Sequence, residues 1–243
     1  MQNTKQDIIN KLRKDILLME GFKPPSAGGA GSIGLGDIES AFPNGVFPVG
    51  AIHEMLCPAN EQAAASSGFI GGLLGSLMKQ GGACIWIGTG RKIFPPAMVT
   101  FNMEPDRMIF IDLQRERDVL WVTEEALKCE GIAAVIAELH NISFAESRRL
   151  QLAVESSKVT GFILRNDPRK AGASTCVARW QITHLPSETE DDLPGVGYPR
   201  WQVDLLKVRN GIPGSWQMEW ADGRFMQIGR EITVHEVFER QIG

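Results

Sequence analysis

The stretch from Asn44 to Lys79, NGVFPVGAIHEMLCPANEQAAASSGFIGGLLGSLMK, limits the possible folds more than any other. It reads as a turn, a short apolar strand over Ala51 to Leu56, and a loop over Cys57 to Gln62. A helix follows, in which small residues alternate with Ile70, Leu73, Leu74 and Leu77. Strand, loop and helix in that order frame a phosphate-binding loop, because stacked backbone N–H groups and the helix N-terminus attract anions. The chemistry itself needs G-x-x-x-x-G-K-[ST]: glycines that let the backbone curl round the phosphates, a lysine for the β and γ oxygens, and a hydroxyl for magnesium. Where the lysine and hydroxyl would fall this chain has Ala63 and Ala64. The loop, with Cys57, Pro58, Glu61 and Gln62, carries in Glu61 an acid that repels triphosphate. The stretch reads as a nucleotide scaffold that no longer holds a nucleotide; taken alone, it also fits the plain strand–helix unit of any α/β protein.

A chain of 243 residues suits one α/β domain with additions, and a single core of that size is well buried. Its net charge of −4 leaves no global basic footprint, so any nucleic-acid contact must be local. The cysteines Cys57, Cys84, Cys129 and Cys176 are widely spaced, which signals neither a zinc site nor a disulfide framework and makes reduced thiols the default. No apolar run approaches the ~20 residues that span a bilayer, and the N-terminus is polar. A soluble, cytoplasmic protein without metal or cofactor, and no membrane partner, is the expectation.

Along the chain, Thr4 to Glu20 places Ile8, Ile9, Leu12, Ile16 and Leu17 on one helical stripe, which either packs on its own domain or is offered to another molecule. The Gly/Pro-rich segment 21–43 reads as a linker and lead-in. Its G-x-G-x-x-G match follows Pro and Ser rather than a strand and carries no dinucleotide signal. Buried strands are expected at Ala83 to Gly88, Met108 to Leu113, Ile132 to Leu139 and Gly161 to Arg165. Helices are expected at Pro95 to Asn102, Glu116 to Lys128 and Ser143 to Ser157. This alternation predicts βαβ units in a mostly parallel, three-layer α/β sheet. VARWQITHL, PRWQVDLLKVRN and GSWQMEWAD then alternate apolar and polar residues, so the C-terminal third is expected to be antiparallel and to extend the sheet. Trp180, Trp201, Trp216 and Trp220 fall in these strands and suit core packing. The core is expected over 44–229, with a tail at 230–243 that either closes the sheet or docks elsewhere. Arg165, Arg169 and Lys170, with Arg148 and Arg149, form a small basic group that suits a DNA phosphate contact or a solvated face. His53, His140, His184 and His235 lie in different elements and support no catalytic dyad, while Cys57 sits near a helix N-terminus, a setting that can lower a thiol pKa, but better suits a small packed residue.

The order of elements from Leu35 to Phe225 resembles the core of RecA-type recombinases. LGDIESAFPNGVFPVGAIHE resembles the lead-in to their P-loop, VTEEALKCEGIAAVIAEL the helix and strand that carry Walker B, and GFILRND the strand before the DNA-binding loop. Over nearly its whole length, through GAIHE, EEALKCEGIAAVIAEL, SRRLQLAVESS and PRWQVDLLKVRNGIPGSWQMEW, the chain is similar to the ImuA family of damage-induced mutagenesis proteins. The division inhibitor SulA is similar mainly around GIAAVIAEL and VTGFILR. The resemblance implies a RecA-like fold. It places the water-activating carboxylate at Gly90, the Walker B carboxylate at Glu138 and the γ-phosphate-sensing amide near Asn166. It implies a non-hydrolytic accessory role in SOS-induced translesion synthesis, with ImuB, RecA and an error-prone replicative-type polymerase as partners. Ile8, Ile9, Leu12 and Ile16 are then the expected protein contact. A SulA-like inhibitor and a working RecA-type ATPase with an unorthodox loop are the alternatives.

Overall fold

The computed structural model describes residues 32–166, 172–188 and 196–228, together with residues 9, 11, 12, 15 and 16. Nine strands form one sheet in the order β3-β2-β4-β5-β1-β6-β7-β8-β9. The first five in sequence are β1 (Ile52–Cys57), β2 (Ala83–Gly88), β3 (Met108–Asp112), β4 (Ile132–Leu139) and β5 (Thr160–Asn166). These apolar, β-branched runs pair in parallel, as expected of strands covered on both faces. β6 (Ala178–Leu185) is parallel to β1 on one side and antiparallel to β7 (Arg200–Val208) on the other. The switch to antiparallel pairing therefore comes one strand later than the sequence pattern suggests. β8 (Gly214–Ala221) and β9 (Arg224–Gln227) complete the antiparallel part.

Three helices make the outer layers. α1 (Asn60–Leu77) packs Phe69, Ile70, Leu73 and Leu74 against Met55, Ala134, Ile136, Leu164 and Trp180. On the opposite face α2 (Glu116–Leu127) and α3 (Phe144–Ser157) bury Val119, Leu127, Leu150 and Val154 against Ile52, Ile87, Val135, Ala137 and Ile163. Successive residues of β4 thus feed the two cores alternately, as the period of two requires. α3 starts at a capping box in which Ser143 accepts from the Glu146 N–H and the Glu146 carboxylate accepts from the Ser143 N–H. The region 95–101 is a 3-10 helix rather than an α-helix, with two prolines at its start. The lead-in is less of a linker than its composition suggests. From Ser32 onward it folds into short 3-10 turns, with Leu35, Ile38 and Phe42 in the core. The Glu39 carboxylate ties it down by accepting from the Ser32 hydroxyl and the N–H groups of Ile33, Gly34 and Leu35.

The four tryptophans of β6 to β8 are buried, at 1–6% exposure, on the α1 side of the sheet. Trp201 and Trp220 come close to α1 because the positions facing them, Gly68 and Gly72, are glycines. A Cβ on Gly72 would stand 2.5 Å from the Phe225 ring and 2.8 Å from Trp220. On Gly75 it would stand 2.6 Å from the Phe101 carbonyl oxygen, which is backbone and cannot swing away. Gly75→Ala gains about 1 kcal/mol of helix propensity, but overpacking against fixed backbone costs about 1–3 kcal/mol. The expected result is a net loss of stability in denaturant melts. A gain would mean that the 95–101 segment is free to retreat.

Candidate functional site

β1 ends at Cys57 and α1 begins at Asn60, so only Pro58 and Ala59 lie between them. The loop expected over Cys57 to Gln62 is therefore two residues long, and Glu61, Gln62, Ala63 and Ala64 belong to the first turns of α1. The Ala63 N–H already donates to the Ala59 carbonyl at 3.1 Å. A phosphate-binding loop needs several residues of backbone wrapped round the anion before the helix starts. Two residues cannot supply that wrap. Glu61 in the first turn complements the helix dipole in its place.

Glu138 stands at the carboxyl end of β4, only 8% exposed. Its carboxylate is already partnered on both oxygens. Trp86 Nε1 donates to Oε1 at 2.9 Å, and Lys92 Nζ lies 2.9 Å from Oε2, with Asn166 Nδ2 at 3.4 Å. An ammonium thus neutralises the carboxylate, and the amide at Asn166 points to the same group. No cluster of three or more His, Cys, Asp or Glu side chains that could hold a metal occurs among the described residues. Gly90 lies in the exposed loop after β2, with nothing within 4 Å of the place a Cβ would take. Cys57 is 1% exposed, and burial pushes its thiol up to about 11 despite the nearby helix N-terminus. It is a packed residue and no nucleophile.

Beside Glu138 a cleft of about 610 Å³ opens at the carboxyl ends of the strands, the end where open α/β sheets bind ligands. Ala63, Ala64 and Gly68 of α1 form one wall, Ile93, Phe94, Met98 and Phe101 a second, and Pro199 and Trp201 a third. Its lining is apolar apart from Asn60, Ser67 and the Lys92–Glu138 pair.

Arg165 is not part of a surface patch. It lies within β5, 3% exposed, and its Nη1 donates to Glu54 Oε1 at 2.8 Å. Arg179 Nε reaches the other oxygen of Glu54 at 2.7 Å, and the Ser174 hydroxyl donates to it at 2.9 Å. Burial raises the Glu54 pKa, but the Arg165 and Arg179 guanidiniums and Ser174 together outweigh it, and the net shift is downward. Arg179 also fastens the segment after β5 by donating to the Gly172 carbonyl, and two cations outside the cluster, Lys207 and Arg209, donate to the Ser174 and Thr175 carbonyls. Arg169 and Lys170 lie outside the described residues. Arg148 is exposed on α3, and Arg149 bonds Glu124 of α2, in the layer opposite the cleft. Of the N-terminal stripe, Ile9, Leu12 and Ile16 are helical, with Leu12 55% and Ile16 52% exposed. Ile8 and the tail at 230–243 lie outside the described residues. The sequence reading missed the roles of Lys92 and Glu54. For Glu54 there was a signal, a lone carboxylate inside a strand that should be buried on both faces. For Lys92 there was none.

These features define a class: a three-layer α/β protein with a mixed sheet, an apolar cleft at its ligand-binding end and a neutralised acid on the cleft floor. No family model matches the chain. Protein ImuA of Caulobacter vibrioides, from strains NA1000 and ATCC 19089, is 32% identical to it over 200 residues, covering 77% of this chain and 82% of the relative. The chain belongs to the ImuA family. Among the described residues no helix is long and apolar enough to cross a membrane.

Proposed function

We propose that the protein is a non-hydrolytic, RecA-like accessory factor of SOS-induced error-prone DNA repair, acting through protein–protein contacts. The observation that carries this reading is the two-residue link between β1 and α1. It leaves no backbone to cradle phosphates. Phosphoryl transfer depends on positioning and on several charges acting together. Here the lysine and hydroxyl positions are Ala63 and Ala64, the water-activating position is Gly90, and Glu138 is engaged by Lys92. Family membership supports the setting, damage-induced mutagenesis; ImuB as the partner, with RecA and the error-prone polymerase as further ones, belongs to the proposal. The exposed Leu12–Ile16 stripe is the surface assigned to that contact, while direct DNA binding is left without Arg165.

A thermal-shift titration with ATP and magnesium tests the first half. A ligand at a hundred times its Kd stabilises the folded state by about 2.7 kcal/mol, which is about 5–10 °C in Tm for a chain of this size. The expected result is no shift, and a dose-dependent rise would move the ATPase reading to the front. A pull-down tests the second half. Ile9→Asp with Leu12→Asp should abolish capture of ImuB or RecA while leaving the fold of the core intact, and undiminished capture would remove the stripe from the interface.

A further inference from the structure

Two uncovered apolar surfaces belong to this one chain. The first is the N-terminal stripe, whose Ile9, Leu12 and Ile16 follow the i, i+3, i+7 spacing by which an amphipathic helix lies in a groove. The second is the cleft at the strand ends, where Phe94 is 68% exposed. We propose that the N-terminal helix docks in its own chain's cleft, with Ile9, Leu12 and Ile16 inserted between the Phe94–Phe101 wall and Trp201, so that a partner must draw the helix out in order to bind it. The proposal rests on the reading of that stripe as the partner contact.

Shape and reach each favour this occupant. The α1 wall consists of Ala63, Ala64 and Gly68, and small side chains let a second helix axis come close. The connecting residues 17–31 can span about 50 Å when extended. They join the core at Ser32, which Glu39 holds in a lead-in packed against β8 and β9. From there to the cleft the path is on the order of one strand length, about 27 Å for the eight residues of β8. The linker therefore reaches its own cleft with slack.

Hydrogen exchange on the full chain tests this, comparing the wild type with Leu12→Asp/Ile16→Asp. Amides of residues 92–101 should exchange at least about tenfold faster in the variant, because docking suppresses local opening. A second measurement does not depend on weakening the helix. Leu12→Cys with Phe94→Cys, in a Cys129→Ser background and with an added oxidant at low protein concentration, should give an intramolecular disulfide identifiable by peptide mapping. All three sites are exposed, so the variants leave the core intact. A product of twice the chain mass would assign the cleft to a second copy and overturn docking within one chain. Equal exchange with no crosslink overturns the proposal outright. The pull-down reads partner capture separately, so a failed docking model and a failed partner contact give different patterns.

Discussion

Glu54→Gln should cost about 3–5 kcal/mol, the usual price of leaving a buried charge without its partner, and lower Tm by about 6–20 °C. The substitution keeps the shape of the side chain and removes one negative charge. Two guanidiniums then remain against the same neutral amide, with Arg165 4% and Arg179 13% exposed at the side chain. Arg165 lies within β5 and Arg179 within β6, on either side of Glu54 in β1. The damage should spread to the segment after β5, whose Ser174 hydroxyl donates to Glu54 and whose Gly172 carbonyl accepts from Arg179. Loss of hydrogen-exchange protection there, ahead of global unfolding, is the expected signature. Replacing Glu54, Arg165 and Arg179 together by apolar residues of similar volume should cost far less, since the desolvation penalty leaves with the charges. A loss below about 1 kcal/mol for Glu54→Gln would mean that water screens the cluster as it screens surface pairs.

That cluster also marks where the sequence could be read and where it could not. Period and run length give β2, β4 and the bounds of α2 and α3 to within a residue, because a buried parallel strand and an amphipathic helix each write one pattern into the chain. β6 misled on pairing: its alternation suits a strand with one polar face, and that pattern does not say which neighbour runs parallel. The length of the link before α1 was hidden for a different reason. Asn60, Glu61 and Gln62 are as acceptable in a helical first turn as in a loop, and Ala59 supplies no side-chain cap to mark the boundary. Arg165 reads as a surface charge because its counter-ion lies 111 residues away. Lys92 and Glu138 meet only because β2 and β4 are neighbours in the sheet, an adjacency that no local pattern records.

The second large effect is expected from acid. His53 is fully buried, with its ring stacked 4.4 Å from Phe47. Nε2 donates to the Pro48 carbonyl at 2.7 Å, and Nδ1 accepts from Trp180 Nε1 at 3.3 Å. Both nitrogens are thus committed in one neutral tautomer. A proton added at Nδ1 would face the tryptophan N–H, and the charge would sit in an apolar layer. Burial, partly offset by the Pro48 hydrogen bond, takes the imidazole down to about 4 from 6.5. The unfolded chain therefore binds this proton below pH 6.5 while the folded chain does not until about pH 4. Stability is unaffected by His53 above that window and falls through it by about 1.4 kcal/mol per pH unit. Between pH 6.5 and 4.5 the loss amounts to about 2–3 kcal/mol. Glu54 acts in the same direction but in a lower window: its folded pKa is depressed below 4.5, so its stabilising contribution is lost only as pH falls further. The two effects separate in a series of urea melts at stepped pH. His53→Phe should cost a constant amount at every pH, because the Pro48 carbonyl and the Trp180 N–H lose their partner. It should also flatten the slope between pH 6.5 and 4.5. An unchanged slope in that variant would show that the ring takes up its proton in the folded state, and the Phe47–His53–Trp180 stack would then have to open to admit it.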